Sequence, residues 1–243
     1  MYSGIILAAG MGSRLSMVTT APKSLLPVGG TSLLAGSIGR LRETGFAEII
    51  VVVGYRDDLI REEVKAHGLA SQVRFVVNPD YRNLGNGYSM LLGLEAALYS
   101  PVVFDADLHY ETDILRRFLV DGCRDKLLVG PGAIEDTEAT KILVDDESNI
   151  VKIADKQPAV ETPESRFLGE ALGIFLFSED GRERIRRCAR NFFRVEENRK
   201  LNWEYVLTDY MRTAKLHAHF DPSDRWIEID SPEDYAEARR RFD

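Results

Sequence analysis

The sequence predicts a doubly wound α/β fold, with a mostly parallel sheet and helices on both of its faces. Short, nearly continuous apolar runs with many β-branched residues occur at 5–9, 49–53, 73–78 and 102–105. Such runs are typical of parallel strands buried on both faces. Helical segments alternate with them, at 32–44, 58–66 and 88–99. This βαβ order predicts the doubly wound arrangement, in which ligands bind at the carboxyl ends of the strands.

The second half of the chain has a different pattern. Runs typical of strands follow one another without long helices between them, at 141–144, 150–154 and 168–177. They predict a mixed-sheet extension, followed by helices at 180–192 and 201–213 and by strands at 215–220 and 226–229. A last helix begins after Ser231 as N-cap, with Pro232 at its first position. We find no repeat or linker and expect a single domain over residues 1–243.

Composition limits the class of protein. The 243 residues are 44% hydrophobic and 29% charged, and the net charge of −8 argues against a nucleic-acid or anionic-membrane partner. No apolar run approaches the roughly 20 residues of a membrane span. Cys123 and Cys188 lie far apart without metal-type spacing, so we expect a reduced, cytoplasmic protein.

A glycine-rich loop follows the first strand. Its residues are Leu7, Ala8, Ala9, Gly10, Met11, Gly12, Ser13 and Arg14, and Lys23 comes soon after them behind Pro22. Backbone N–H groups freed by glycine, beside two cations, form a receptor for a polyphosphate. Leu15 stands where a Rossmann fingerprint needs its third glycine, and Lys23 comes too late for a Walker A loop.

Two acids end the strand at 102–105 and its following turn. Asp105 and Asp107 are two residues apart, which points both side chains to the same side. Carboxylates together with phosphate oxygens are the ligands that Mg²⁺ prefers. The alternative is that the two acids merely cap a turn or the next helix. Asp230, close to the last helix, could likewise merely belong to the entry of that helix, although Ser231 already serves as its cap.

The glycine loop with Pro22-Lys23 downstream resembles the signature of the nucleotidyltransferase superfamily, and the resemblance extends along nearly the whole chain. It implies a Rossmann-like nucleotidyltransferase fold and an enzyme that couples a nucleoside triphosphate to a phosphorylated small molecule, releasing pyrophosphate. It implies that the loop from Leu7 to Arg14 wraps the triphosphate, with Arg14 and Lys23 on its phosphates and Leu7 to Ala9 facing the base. Residues 1–122 would then mainly bind nucleotide, and 123–243 would mainly bind the acceptor and close the sheet.

The resemblance also implies metal ligands. Asp107 falls at the family's metal-binding aspartate, and Asp105 lies nearer the nucleoside. Asp230 matches a terminal motif in which an Asp faces the metal. Glu204, in Asn202-Trp203-Glu204-Tyr205, resembles an acid of the choline-phosphate branch that reaches the metal, although Asp often stands there. Which of Glu204 and Asp230 is the second ligand stays open.

The base is predicted from the segment before the core helix. Asn78, Asn86, Gly87 and Ser89 supply polar groups and a loosened turn, as needed to pair the edge of a base. The segment resembles phosphocholine and phosphonate cytidylyltransferases more than sugar nucleotidyltransferases, which indicates cytosine.

For the acceptor, the sequence offers a set of residues in the second half: Lys141, Lys156, Glu170, Gly173, Trp203 and Tyr205. The simpler alternatives are solvated strand-edge lysines and aromatic residues that only pack. Aromatic residues beside carboxylates, at Glu170, Trp203, Glu204 and Tyr205, would suit a cationic head such as choline or an aminoethyl group. Lys141, Lys156 and Arg166 together exceed the needs of one phosphate, which favours a phosphonate with a second acidic group, and both alternatives stay open.

We therefore expect a Mg²⁺-dependent cytidylyltransferase that joins CTP to a small phosphonate or phosphocholine-like acceptor. The alternatives are a sugar-1-phosphate nucleotidyltransferase using UTP, dTTP or GTP, and an inactive nucleotide-sensing domain. The expected partners are small molecules, with no nucleic acid and no membrane, and the protein would be a monomer or homodimer.

Overall fold

The structure, a computed structural model, describes residues 1–15, 19–120 and 124–243. Cys123 and the predicted division at 122/123 lie outside the described residues, as does the side chain of Ser13.

The strands, in chain order, are β1 (Tyr2–Ala8), β2 (Pro27–Val28), β3 (Thr31–Ser32), β4 (Glu48–Val53), β5 (Val73–Val77), β6 (Ser100–Asp105), β7 (Leu108–Tyr110), β8 (Lys126–Gly130), β9 (Thr140–Val144), β10 (Ile150–Asp155), β11 (Arg166–Leu176), β12 (His217–Phe220) and β13 (Trp226–Glu228). The helices are α1 (Leu33–Glu43), α2 (Asp57–Ala66), α3 (Asn86–Ala96), α4 (Thr112–Leu119), α5 (Glu179–Phe192), α6 (Trp203–Tyr210) and α7 (Pro232–Phe242).

The core of the sheet is parallel. β6, β1, β4 and β5 lie side by side in that order, and each neighbouring pair is parallel. Leu7 pairs with Asp105 across β1 and β6, so the glycine loop and the first acid leave the sheet at the same edge. The predicted α/β fold class is confirmed.

The predicted mixed extension continues the sheet from β6. β11 runs antiparallel to β6, β9 and β8, β10 is antiparallel to β9, and β12 is parallel to β8. The pairing of β11 with β8 shifts register between Ala171 and Phe175, around Gly173, which has φ of +65°. This irregularity brings Gly173 towards the end of β6.

Alternate residues of β1 enter different apolar cores. Ile5 and Leu7 pack in a core with α3, α5 and α6, whereas Ile6 and Ala8 pack in a core with α1, α2 and α4. The sheet is therefore covered on both faces at its centre, which explains why β1, β4 and β6 are almost continuously apolar. No helix among the described residues is long and apolar enough to cross a membrane.

The predicted helix α3 is a core helix, as expected. Its Gly93 lies against β1 so closely that an added Cβ would come within 2.3 Å of Ile5 Cγ2. The start of α7 is also confirmed: Ser231 Oγ accepts from Asp234 N at 3.1 Å, and Asp234 Oδ2 accepts from Ser231 N at 2.7 Å. Segments that the sequence analysis did not assign are β7, α4, β8 and the small pair of β2 and β3.

Candidate active site

A cleft of about 420 Å³ opens at the carboxyl ends of β1 and β6. The first loop, the turn after β6, the start of α3, the first turn of α6 and the end of β13 all contribute to it. Residues predicted separately from distant parts of the sequence thus meet in one place.

The end of β1 and the loop after it form one wall, through Leu7, Ala8, Ala9, Gly10, Gly12 and Arg14. Gly12 has φ of +59°, and a Cβ there would meet Lys23 Cβ at 3.0 Å. Glycine therefore allows both the left-handed turn and the close passage of the lysine.

Lys23 lies at the centre of the cleft between two carboxylates. Its Nζ is 2.5 Å from Asp107 Oδ2 and 2.6 Å from Asp230 Oδ1. Burial lowers the pKa of Lys23, but the charges of Asp107 and Asp230 outweigh burial and raise it above its ordinary value. Lys23 is therefore a fixed cation at any working pH.

Asp230 attracts further cations. Arg14 donates to its Oδ2 at 2.7 Å, and Lys156 Nζ lies 3.6 Å from the same oxygen. Burial raises the pKa of Asp230, but Lys23, Arg14 and Lys156 outweigh it and hold the pKa below its ordinary value. Asp234, in the first turn of α7, accepts from the backbone N–H of Asp230 at 3.0 Å. The helix cap thus fixes the backbone that carries this acid.

Three carboxylates could hold a metal ion. One oxygen each from Asp107, Glu228 and Asp230 can be chosen so that all lie within 4.8 Å of one another. Oδ1 of Asp107 is buried and, among the described residues, has no hydrogen-bond partner. Burial, followed by the charges of Asp107 and Asp230, raises the pKa of Glu228 well above its ordinary value. A divalent cation would offset this repulsion, and oxygen donors suit Mg²⁺, so the residues present fit such an ion.

Glu228 was not among the predicted ligands. It stands two residues before Asp230 on β13, the same spacing that led to Asp105 and Asp107. Applied to this second pair, the spacing would have found it.

Glu204, a predicted ligand, lines the cleft but does not belong to this group of three carboxylates. It is buried, and burial, together with the nearby charge of Asp155, raises its pKa to about 8. Its Oε2 has no hydrogen-bond partner among the described residues. Its role as metal ligand stays a prediction.

Asp105 faces α6 and β11. Trp203 Nε1 donates to its Oδ2 at 2.9 Å, and a Cβ on Gly173 would come within 2.5 Å of the same oxygen. Burial, then the charges of Asp107 and Glu204, raises the pKa of Asp105 well above its ordinary value. The two acids therefore have different partners: Asp105 contacts Trp203, whereas Asp107 contacts Lys23.

The predicted base-binding residues lie around the start of α3. Asn86 and Ser89 line the cleft, while Asn78 is buried behind them and donates to Ser89 Oγ at 3.0 Å. Asn86 Oδ1 accepts from Trp203 N at 3.0 Å. Gly87 does not line the cleft; a Cβ there would meet Leu201 O at 2.8 Å. Gly87 therefore lets the segment before α6 approach α3.

The predicted acceptor residues separate into two groups. Lys156, Gly173 and Trp203 line the cleft. Lys141, Glu170 and Tyr205 do not, and their acceptor-binding roles stay predictions. Lys141 is buried, and its ammonium donates to the carbonyl oxygens of Asp136 and Ala139.

Further cleft residues were not predicted. Glu138, Thr140 and Asp155 come from β9, β10 and the segment before them, and Tyr81 and Leu84 come from the segment between β5 and α3. Asp155 directly precedes Lys156, and Thr140 directly precedes Lys141. The prediction of the two lysines therefore identified the correct segments, but not Asp155 and Thr140 themselves.

Residues 4–121 match the family model of the MobA-like NTP transferase domain. The bifunctional IPC transferase and DIPP synthase of Thermococcus kodakarensis is 29% identical, over 97% of this chain and 49% of the relative. The CMP-5'-(3-aminopropyl)phosphonate synthase of Streptomyces rubellomurinus is 28% identical, over 98% of this chain and 38% of the relative. The chain thus spans about half, or less, of the length of these relatives.

A solved structure matches over the full length. The CTP:phosphocholine cytidylyltransferase from Streptococcus pneumoniae aligns with a TM-score of 0.77 and 25% identity, covering 100% of this chain and 99% of that one. These matches confirm the resemblance and the fold that the sequence predicted.

Proposed function

We propose that the chain is a nucleotidyltransferase and transfers CMP from CTP to a small phosphonate or phosphoester acceptor in a Mg²⁺-dependent reaction. The match of residues 4–121 to the MobA-like NTP transferase domain and the cytidylyltransferases among the relatives support this. The observation that supports this most is the meeting of Arg14 and Lys23 with Asp107 and Asp230 in one cleft below the glycine loop. Binding a nucleoside triphosphate requires cations, and binding its metal ion requires carboxylates. In this cleft the two sets of side chains are in direct contact.

Cytosine is favoured by the relatives. The names of the Streptomyces and pneumococcal proteins specify a CMP-linked product and CTP, respectively. In this chain Asn86 and Ser89 line the cleft at the start of α3, and Asn78 donates a hydrogen bond to Ser89. We propose that these residues pair with the edge of the base.

The proposed reaction needs no nucleophile from the protein. An anionic oxygen of the acceptor attacks the α-phosphorus of CTP and forms a new P–O bond. The bond from this phosphorus to the α,β-bridging oxygen breaks, and pyrophosphate leaves with the electron pair. An ionised phosphonate or phosphate oxygen needs no general base, so the protein must mainly align the reactants and neutralise charge.

Specific residues would do this work. Lys23 and Arg14 would hold the triphosphate, and their charge would offset the charge that develops on the leaving group. Asp107, Glu228 and Asp230 would hold Mg²⁺, which would supply further neutralisation at the phosphates. Lys156, on the far side of Asp230, would hold the acceptor's phosphorus oxyacid.

We propose that the partners are small molecules alone, that nucleic acid and membranes are not involved, and that the protein acts in the cytoplasm as a monomer or homodimer. The net charge of −8 supports the absence of a polyanionic partner.

Pyrophosphate release tests the proposal. With Mg²⁺ and a panel of small phosphonates and phosphoesters, CTP should support release, and UTP, dTTP and GTP should support far less. Faster release with UTP, dTTP or GTP and glucose 1-phosphate would overturn the proposal in favour of a sugar nucleotidyltransferase. No release under any condition would indicate an inactive nucleotide-sensing domain.

A further inference from the structure

The side-chain amide of Asn86 has a fixed orientation at the start of α3. Its Oδ1 accepts a hydrogen bond from the backbone N–H of Trp203 at 3.0 Å. A backbone N–H can only donate, so the amide atom that faces it must be the oxygen. The Nδ2 group, which carries two donors, forms no hydrogen bond within the described chain, and Asn86 lines the cleft. Asn86 therefore offers donors to a ligand, while its oxygen is engaged by α6.

Ser89 has its hydrogen-bonding direction fixed from behind the cleft. The backbone N–H of Asp80 donates to Asn78 Oδ1 at 3.1 Å, so the Nδ2 of Asn78 is the group that donates to Ser89 Oγ at 3.0 Å. Ser89 is buried and lines the cleft, and its hydroxyl has no other hydrogen bond among the residues that the structure describes. Its O–H therefore remains to donate to a ligand.

The segment before α6 holds the anchor of Asn86 in place. The backbone N–H of Gly85 donates to the carbonyl oxygen of Arg199 at 2.9 Å, and a Cβ on Gly85 would overlap the carbonyl oxygen of Leu201. The two segments thus pack backbone against backbone, with no room for a side chain between them. This close contact keeps the N–H of Trp203 where it orients the amide of Asn86.

Two donors on one wall distinguish between the pyrimidine bases. Asn86 and Ser89 are three residues apart on α3 and therefore lie on the same face of the helix. The pairing edge of cytosine has two adjacent acceptors, O2 and N3, whereas uracil has an N3–H donor beside its O2. Two donors can pair with O2 and N3 of cytosine, but in uracil the N3–H would face a donor and leave both groups unpaired, which is costly in a closed site.

We propose that Asn86 and Ser89 select cytosine through its N3 and O2 atoms, and that the backbone N–H groups of Trp203 and Asp80 make these two side chains donors. The inference rests on the proposed function and names the atoms of the base that are read at this wall. The choice against uracil is then made at N3 and not at the 4-amino group of cytosine.

The test compares four nucleotides in calorimetric titrations of the full chain with Mg²⁺, which need no acceptor. The triphosphate of pyrimidin-2-one riboside retains O2 and N3 and lacks the 4-amino group, so it should bind about as tightly as CTP. 3-Deaza-CTP retains O2 and the amino group but has C–H in place of N3, and UTP has N3–H. Both should bind at least ~10-fold more weakly than CTP, the order expected for a buried donor left without its acceptor.

A variant pair locates the effect. Asn86→Asp keeps an oxygen that accepts from Trp203 and replaces the two donors by an acceptor, so the ratio of the Kd for UTP to the Kd for CTP should fall by at least ~10-fold. Both constants are measured on one preparation, so a partial loss of folded protein does not alter their ratio. Asn191→Asp makes the same change at an exposed position of α5 and should leave the ratio unaltered.

The outcomes separate this inference from the proposed function. If the pyrimidin-2-one nucleotide bound as weakly as UTP, the choice would be made at the 4-amino group and the inference would be overturned. Tight binding of 3-deaza-CTP, or an unchanged ratio in Asn86→Asp, would also overturn it. Each of these results leaves cytidylyl transfer intact, since pyrophosphate release with CTP measures it separately. The expected order of Kd values without pyrophosphate release from any acceptor would support the base site and overturn the transfer.

Discussion

The indole nitrogen of Trp203 donates a hydrogen bond to Oδ2 of Asp105 at 2.9 Å. This bond joins the first turn of α6 to the end of β6, two elements separated by about a hundred residues of sequence. It also supplies a hydrogen-bond donor to a half-buried carboxylate. Glu204, the next residue after Trp203, is thereby placed in the wall of the cleft.

Lys23→Met should reduce kcat/KM for pyrophosphate release by at least ~100-fold, the order expected for losing one preorganised charge contact. Methionine preserves most of the side-chain length and removes the cation between Asp107 and Asp230. The control is Lys65→Met, which removes an exposed lysine on α2 and should leave turnover unchanged. A well-folded Lys23→Met protein with near-normal turnover would exclude Lys23 from the proposed reaction.

Asp107→Asn and Asp105→Asn should behave differently. Asp107→Asn removes a charge from the proposed metal group, so activity should collapse and the Mg²⁺ concentration for half-maximal rate should rise in any residual activity. Asp105→Asn retains an acceptor oxygen for Trp203 and should mainly raise KM, which steady-state titration of each substrate would measure. If the two variants exchanged these effects, the assignment of roles within the pair would be reversed.

Gly173→Ala should destabilise the fold and disturb the cleft. Its φ of +65° is unfavourable for alanine, and the new Cβ would lie 2.5 Å from Asp105 Oδ2. We expect a loss of about 1–3 kcal/mol, seen as a lower thermal midpoint, together with reduced turnover.

Gly39→Ala is the matched control. It lies in α1 with open space around it, and alanine should be neutral or stabilising there. An equal loss of stability in both variants would show that neither the backbone angle nor Asp105 is the cause.

Glu170→Gln should make stability less sensitive to pH. Burial, followed by the charge of Asp136, raises the pKa of Glu170 from 4.5 to about 7. Between these values the folded chain keeps a proton that the unfolded chain releases, so the free energy of unfolding falls as pH rises through this window. The variant should therefore have a higher thermal midpoint than the wild type at about pH 8, by a few degrees, and little difference at about pH 5.

Glu164→Gln removes an exposed carboxylate just before β11 and should shift the midpoint alike at both pH values. The explanation for Glu170 would be wrong if its variant showed the larger gain in acid.

The parallel core could be predicted because burial on both faces imposes an uninterrupted apolar pattern on β1, β4 and β6. The glycine loop could also be predicted from the sequence, because the left-handed backbone of Gly12 beside Lys23 requires a glycine at that position. β8 was missed although all five of its residues are buried. It is short, and a short apolar run alone does not distinguish a strand from other buried structure.

The acceptor side was harder to predict for a physical reason. A lysine on a strand can direct its long side chain to solvent, to a ligand or to nearby carbonyl oxygens, and only the surrounding loops decide. Lys156 faces the cleft and Lys141 is bonded to the backbone of residues 136 and 139. The periodicity of the sequence does not reveal which of these directions a lysine takes. Glu228, by contrast, could have been predicted, because it and Asp230 have the same i, i+2 spacing as Asp105 and Asp107.

The ion pair between Lys23 and Asp230 joins residues 207 positions apart. Forming contacts between residues so far apart in sequence has a large cost in loop-closure entropy, so such contacts tend to form late in folding. During synthesis the glycine loop emerges long before the segment between β13 and α7 that carries the carboxylate partner of Lys23. We therefore expect the contact between the cation and its carboxylate to be among the last features that the chain acquires, so that recovery of the proposed activity would report on the docking of β13 and α7 rather than on the formation of the parallel sheet.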